Sequence, residues 1–392
     1  MQSTVAVTFE AVDAEAAVRD LLEQVNAALP SGPNRCGILF TEGDGEGPEL
    51  VPALEQAAGM PIVGCTTIAQ ISPGGYHNLC ATLLVLSGED CRFGVAAALD
   101  MDVEPERKLR EAFAQAAAEL GDAPCEAIIV FSAGNTEFTA DEKLALLDEL
   151  AQGKPIFGGL ASDYLDFSQT RIFYRGESHN NSLVLLLIGG NVRPKFVVRN
   201  IPRSRIAKSR ITASKGTLVE RIDSMTAYEA MLAQGVDPED RARLLFAPLC
   251  VELDTEDDYD GVPICRNFMD MDKETGTGRA MAMMPVGAAV SVQMVQGKDI
   301  EETTGEALRE VCRELCEQPD GYVYSTVLIV TCCARHIVLG QNRAREGEMA
   351  AAELSGATFA GFYSYGEFCP TSVHQGRAKN RLNNMSIGFC IL

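Results

Sequence analysis

Thr358-Phe-Ala-Gly-Phe-Tyr-Ser-Tyr-Gly-Glu367 runs an apolar strand into glycine and then into small polar residues. Pro61-Ile-Val-Gly-Cys-Thr-Thr67 and Pro155-Ile-Phe-Gly-Gly-Leu-Ala-Ser-Asp163 have the same shape. Each copy follows a strand, a polar loop and a helix-patterned stretch, so one supersecondary unit is written three times. A strand ending in glycine lets backbone N–H groups approach a ligand closely, because no Cβ stands in the way. Such a design points to a binding protein before it points to an enzyme.

Around the first corner, apolar periodicity predicts helices over 14–29 and 50–58 and strands over 36–40, 61–65, 80–86 and 92–98. The same order returns around the second corner. Helices are predicted over 104–120 and 140–151, and strands over 127–131, 155–159, 171–174, 182–187 and 195–199. Gly64 and Gly158 lie 94 residues apart. The third corner comes after an interval of roughly twice that length, consistent with an inserted or divergent segment. There, helices are expected over 305–316 and 349–354, with strands over 327–332, 358–361 and 385–390. The interval carries strand candidates at 262–269, 279–284 and 288–295 around a Thr275-Gly-Thr-Gly278 turn. The reading is an α/β protein of mixed α+β character. Repeated strand–helix–strand units form mixed sheets flanked by helices, with a strand-rich segment at about 240–300. Basic residues gather between Arg193 and Arg221 and read as an exposed connector, which divides the chain into domains at 1–200 and 201–392.

A chain of 392 residues buries a large core and divides into two or more domains. Its net charge of −22 argues against nucleic acid and anionic membrane surfaces as partners. The start, Met1 to Glu10, reads as a strand and not as a cleavable signal, and Leu183–Ile188 is too short to cross a bilayer. Thirteen scattered cysteines, an odd number, fit reduced thiols in the cytoplasm.

The chemistry of the common enzyme classes is mostly missing. No G-x-S-x-G elbow, Walker loop or G-x-G-x-x-G is written, and the four histidines show no two-ligand spacing. Cys312, Cys316, Cys332, Cys333 and His336 are better read as core positions than as a zinc site. The acidic run Asp254–Gly261 has Asn267 where a calcium loop closes on glutamate, and reads as a solvated turn. No metal, cofactor or catalytic residue is therefore assigned.

What remains is the set of strand-end turns, because open α/β sheets bind ligands beyond the C-terminal ends of their strands. Thr66 and Thr67, Ser162 and Asp163, and Ser364 and Glu367 are read as comparable points. Ser132, Asn135 and Thr136 lie on the same edge. The candidate ligand-binding residues are Cys65, Thr66, Asn135, Gly158, Gly159, Ser162, Asp163, Tyr363, Ser364, Tyr365, Gly366, Glu367 and Asn384. A zwitterion suits them, with N–H groups for its carboxylate and Asp163 or Glu367 for its ammonium.

Phe157-Gly-Gly-Leu-Ala-Ser-Asp163 followed by Thr170-Arg-Ile-Phe-Tyr-Arg-Gly176 resembles the N-terminal FIST domain (F-box and intracellular signal transduction). Gly361-Phe-Tyr-Ser-Tyr-Gly-Glu367, with Pro370 and Arg381-Leu-Asn-Asn-Met-Ser386, resembles the end of the C-terminal FIST domain. The resemblance implies a cytosolic sensory module for small molecules such as amino acids. It marks Gly158, Gly159, Asp163, Gly361, Phe362, Ser364, Gly366, Glu367 and Asn384 as family positions. The family often has a His-Asn pair near the end; here Asn383 stands in the histidine's place. No output domain is fused before Leu392, so a protein partner or self-association is expected to carry the signal. The alternatives are an enzyme with a Cys65 or Ser364 nucleophile, and an acidic protein-docking scaffold.

Overall fold

The computed structural model describes the chain apart from residues 11–12, 30–31, 33, 44–48, 135–136, 202–207, 253–262, 318–320 and 375. The first unit comprises β1 (Gln2–Thr8), α1 (Ala14–Ala28), β2 (Arg35–Thr41), α2 (Leu50–Ala58), β3 (Ile62–Thr66), the hairpin β4 (Gln70–Ser72) and β5 (Gly75–His77), and β6 (Ala81–Ser87). The second comprises β7 (Cys91–Ala98), α3 (Pro105–Leu120), β8 (Cys125–Ala133), α4 (Ala140–Ala151), β9 (Ile156–Leu160), the hairpin β10 (Ile172–Tyr174) and β11 (Glu177–His179), and β12 (Ser182–Gly190).

The third unit opens with β13 (Lys195–Arg199) and is then interrupted. The insertion runs through β14 (Ser209–Lys215), β15 (Leu218–Ile222), β16 (Met225–Thr226), α5 (Ala227–Ala233), α6 (Arg241–Phe246), β17 (Leu249–Glu252), β18 (Ile264–Arg266), β19 (Phe268–Met271), β20 (Gly278–Ala280) and β21 (Ala289–Val292). The unit resumes with α7 (Gly297–Cys316), β22 (Thr326–Cys332), α8 (Cys333–Leu339), α9 (Arg345–Glu353), β23 (Thr358–Ser364), the hairpin β24 (Glu367–His374) and β25 (Arg377–Asn383), and β26 (Ile387–Ile391).

Three six-stranded sheets share one order: first strand, last strand, second, third, and then a hairpin lent by another unit. The lent hairpins close a ring. β10 pairs with β3, β24 with β9, and β4 with β23. Within each unit the second and third strands are parallel and the remaining pairs antiparallel, so the sheets are mixed. All three sheets turn one face inward, where Phe40, Phe131 and Phe362 meet with ring centroids 4.8–5.7 Å apart. Each unit's long helices pack on its outer face around separate apolar clusters. Covered on both sides, the central strands read as continuous apolar runs and not as alternation.

Local signals explain most boundaries. Thr139 and Glu142 form a reciprocal capping box that starts α4, and Asp13 caps α1. α7 begins at Gly297, earlier than the apolar periodicity predicts, because Gln296 and Asp299 cap it there. The hairpin β24–β25 is not predicted from sequence. Pro370 sits within it beside a register shift, the one kind of strand position that tolerates a missing N–H. The basic stretch is not a free connector: Lys195 pairs with Glu314 and Glu317, Arg199 with Glu310 and Lys208 with Glu252. The inserted sheet has its own apolar core. It is tied to the ring where Arg266 donates to Leu382 O (2.9 Å) and Met283 N to Asp141 (2.8 Å).

Candidate functional site

The three glycine corners meet. Ser162 Oγ donates to Tyr363 O (2.6 Å) and accepts from Ile68 N (3.2 Å). Thr67 Oγ1 accepts from Tyr363 N (3.0 Å), and Leu160 N donates to Ser364 Oγ (3.1 Å). Ser162 N donates to Thr66 O, and Arg171 N to Thr66 Oγ1. These groups satisfy one another, and Thr66, Ser162 and Ser364 are fully buried. The corners therefore form a plug between units, with their polar groups spent on each other.

Strand register also corrects the alignment of the corners. Leu39 faces Gly64, Val130 faces Gly158 and Ile329 faces Gly361. Thr66, Leu160 and Tyr363 are thus the equivalent positions, whereas Ser162, Asp163, Ser364 and Glu367 fall at different offsets from their glycines. The glycines admit a neighbouring strand and not a ligand. A Cβ on Gly158 would stand 2.0 Å from Val130 O, and one on Gly159 2.5 Å from Ser364 Oγ.

Asp163 organises a loop. Its carboxylate accepts from Phe167 N (2.9 Å), Gln169 N (2.9 Å) and the Tyr365 hydroxyl (2.5 Å). The Phe167 ring stacks on Tyr365, 4.5 Å between centroids. Cys65 is buried in the central core, and burial holds its thiol well above the ordinary cysteine range. Ser364 Oγ donates to Gly366 O (2.7 Å). Tyr363 is buried against His336 and Tyr76. Asn135 and Thr136 lie outside the described residues, as does the acidic run Asp254–Gly261.

Above the plug lies a cavity of about 430 Å³. Tyr365, Asn384, Cys332 and Cys333 form its floor, Phe167 and Asp166 one wall, Arg241 another, and Asn267, Met269 and Met281 of the insertion its roof. A second chamber of about 90 Å³ adjoins it over Ser132, Gly134 and Thr170, and the two share Phe167, Met269, Met281 and Tyr365. Of the residues named from sequence, Tyr365 and Asn384 reach the larger cavity and Ser132 the smaller. Asn384 is 2% exposed; its Nδ2 donates to Tyr365 O (3.3 Å), while its Oδ1 has no partner among the described residues. A depression of about 740 Å³ lined by Met1, Ser87, Arg193 and Tyr322 lies at the opposite strand ends, where no corner residue reaches.

Glu367 is buried behind the floor. Its Oε2 accepts from Ser386 Oγ (2.8 Å) and Ser386 N (3.3 Å), and burial pushes its pKa up to about 8. The unfolded chain ionises this group in the ordinary glutamate range, so between about 4.5 and 8 the native state holds the extra proton. Stability from this group is therefore lost as pH rises through that window. Glu367→Gln is expected to melt near the wild-type temperature at about pH 4.5 and above it at about pH 9, by circular dichroism. A pH-independent offset between the two melts would refute burial as the cause.

A FIST N domain model matches residues 35–225 and a FIST C domain model residues 225–370. The chain belongs to the FIST family. FIST domains are sensory domains of signal transduction. The two FIST models abut at residue 225, in β16, within the inserted segment. The FIST N match supplies the wall of the cavity at 166–167, and the FIST C match supplies its roof. No curated protein matches the sequence. Among solved structures, a cyanuric acid hydrolase is similar at 11% identity, with 67% of this chain and 84% of that one covered and a TM-score of 0.29. The cyanuric acid hydrolase of A. caulinodans is similar at 12% identity over 100% and 98% of the two chains, with a TM-score of 0.38. T. maritima PurL follows at 10% identity, 99% and 72% coverage, and a TM-score of 0.21. At these scores the likeness says nothing about what this chain does.

Sequence reasoning names two of the floor residues, Tyr365 and Asn384, and misses the roof, whose strands carry no glycine corner. It also misses Lys143 on α4, which is 2% exposed. The signal was present: Lys143, Leu147 and Ala151 share the buried helix face at i, i+4 and i+8.

Proposed function

We propose that this FIST protein senses a small polar metabolite, held in the cavity between the inserted sheet and the corner plug. The orphaned Asn384 Oδ1 carries this reading, because Asn384 lines the cavity and its buried carbonyl oxygen costs free energy until a donor reaches it. The size of the cavity suits a small molecule. Asp166 and Asp270 add acceptors to its lining, and Arg241 adds a cation. A ligand with an ammonium for the acceptors and a carboxylate for Arg241, an amino acid or a close relative, complements that set.

Such a ligand bridges the plug and the inserted sheet, so binding favours the arrangement that holds the insertion against the ring. That shift presents an altered surface to a signalling partner or a second copy. Thirteen cysteines without a disulfide among the described residues are in keeping with work in the cytoplasm. Among the described residues no helix is long and apolar enough to cross a membrane.

A thermal-shift screen over amino acids and related amines is expected to find a ligand that raises the melting temperature with dose. Asn384→Leu is expected to abolish that rise, while costing about 1 kcal/mol of stability for its one hydrogen bond to Tyr365. An Asn384→Leu protein that responds to the ligand as wild type does would sink the assignment.

A further inference from the structure

Lys143 and Ser132 occupy a slot that can be compared between units. Ser132 and Thr331 each stand two residues beyond the strand residue that faces a corner glycine. Lys143 and Glu346 each precede that glycine by 15 residues, on the helix leading to it. Both pairs are in contact: Lys143 Nζ donates to Ser132 Oγ (3.2 Å), and Thr331 Oγ1 to Glu346 (3.2 Å). In the third unit the helix charge is neutralised, because Arg335 binds Glu346 at 2.9 Å. In the second unit no carboxylate lies within ion-pair distance of Lys143 among the described residues. Its hydrogen-bond partner there is the Ser132 hydroxyl.

A buried ammonium with one hydroxyl for company is poorly compensated, so this slot shifts the balance toward the neutral amine. A neutral amine beside a hydroxyl takes the hydroxyl proton, which is how a lysine activates a serine. Ser132 lines the 90 Å³ chamber, which holds roughly three waters' worth of space, enough for a short acyl group. That chamber shares four lining residues with the larger cavity. A leaving group has somewhere to lie.

We propose that Ser132 and Lys143 form a covalent capture site, in which Ser132 is acylated by a small activated ester or amide entering through the shared cavity. Ser132 Oγ bonds to the acyl carbon as its proton passes to Lys143 Nζ. The bond from that carbon to the leaving alcohol or amine breaks, and Lys143 returns the proton to it. No electrons are transferred to or from the protein. The product is an acyl-serine in the wall of the sensory cavity, and water releases it by the reverse proton path. The site does not depend on the non-covalent ligand proposed above.

The probe is p-nitrophenyl acetate with the full-length chain. Intact mass is expected to show a gain of one acetyl group, mapped by tandem mass spectrometry to Ser132 and missing in Ser132→Ala. Burial lowers the Lys143 pKa to about 8, against which Asp102 acts, so the rate of labelling is expected to rise with pH through that value. The other charges on this helix are engaged elsewhere: Asp141 with Arg266, Glu142 with Thr139 in the capping box, Asp148 with Asn380 and Glu149 with Arg110. Lys143→Met is expected to slow acetylation of Ser132 by about 100-fold or more, with folding checked by its melt. Acetyl groups found only on surface lysines of the wild-type chain would overturn the proposal, whether or not Lys143→Met folds. An equal Ser132 rate in a folded Lys143→Met protein would overturn it too. Neither result would touch the Asn384 assignment, which is read without acylation.

Discussion

Arg335→Met is expected to destabilise the fold by about 3–5 kcal/mol, read as a fall in the denaturant midpoint at unchanged slope. Arg335 and Glu346 are both fully buried and 2.9 Å apart. The guanidinium also donates to Thr304 Oγ1 (2.8 Å), Thr303 Oγ1 (3.2 Å) and Met385 O (3.3 Å). It thereby joins α7, α8, α9 and the turn before β26. Losing the arginine leaves Glu346 as a charge with neither solvent nor a cation, and leaves the Met385 carbonyl short of a donor. The pair itself contributes less than this cost, because forming it already required desolvating both ions. The double variant, Arg335→Met with Glu346→Leu, is therefore expected to regain much of the loss. A double variant no more stable than Arg335→Met would show that packing around the side chain, not the orphaned charge, is what the protein loses.

Gly158→Ala is expected to cost about 3 kcal/mol or more, enough to fail in expression or to melt well below wild type. Two effects add. Gly158 has φ +138°, a backbone state that L side chains rarely adopt, and the new Cβ would stand 2.0 Å from Val130 O. The oxygen belongs to the adjacent parallel strand, so relief requires β8 and β9 to separate in the middle of a sheet. Gly75→Ala isolates the first effect. That glycine has φ +101° with nothing within 4 Å of its Cβ position, and about 1 kcal/mol is expected there. Equal melting temperatures for the two variants would mean that strand contact is not why the corner is glycine.

Much of the local structure was legible. Helices at 50–58 and 140–151 form where apolar periodicity places them, and the β8 and β22 runs are the buried strands they read as. The corner phrases also locate the edge where the cavity opens. The role of their residues was not legible. Tyr363 and Thr67 are hydrogen-bonded across 296 positions, and Ser162 and Tyr363 across 201. No spacing rule reaches that far. Asp163 looks like a ligand group in sequence because two of its partners, the Phe167 and Gln169 amides, lie in an irregular loop without periodicity, and the third, the Tyr365 hydroxyl, comes from 202 positions away.

By itself the sequence determined most of the α and β elements of the three repeated units, the three glycine corners and membership of the FIST family. Each of these is written in side-chain period, backbone allowance and short-range motif, which act within one or two turns of chain. Tertiary structure decided which strand neighbours which, and so which polar groups are spent and which are left over. Asn384 Oδ1 and Lys143 are special only because folding withdraws them from water and brings too few partners. That imbalance arises from long-range packing in a low-dielectric interior, where an unmatched polar group cannot fall back on solvent.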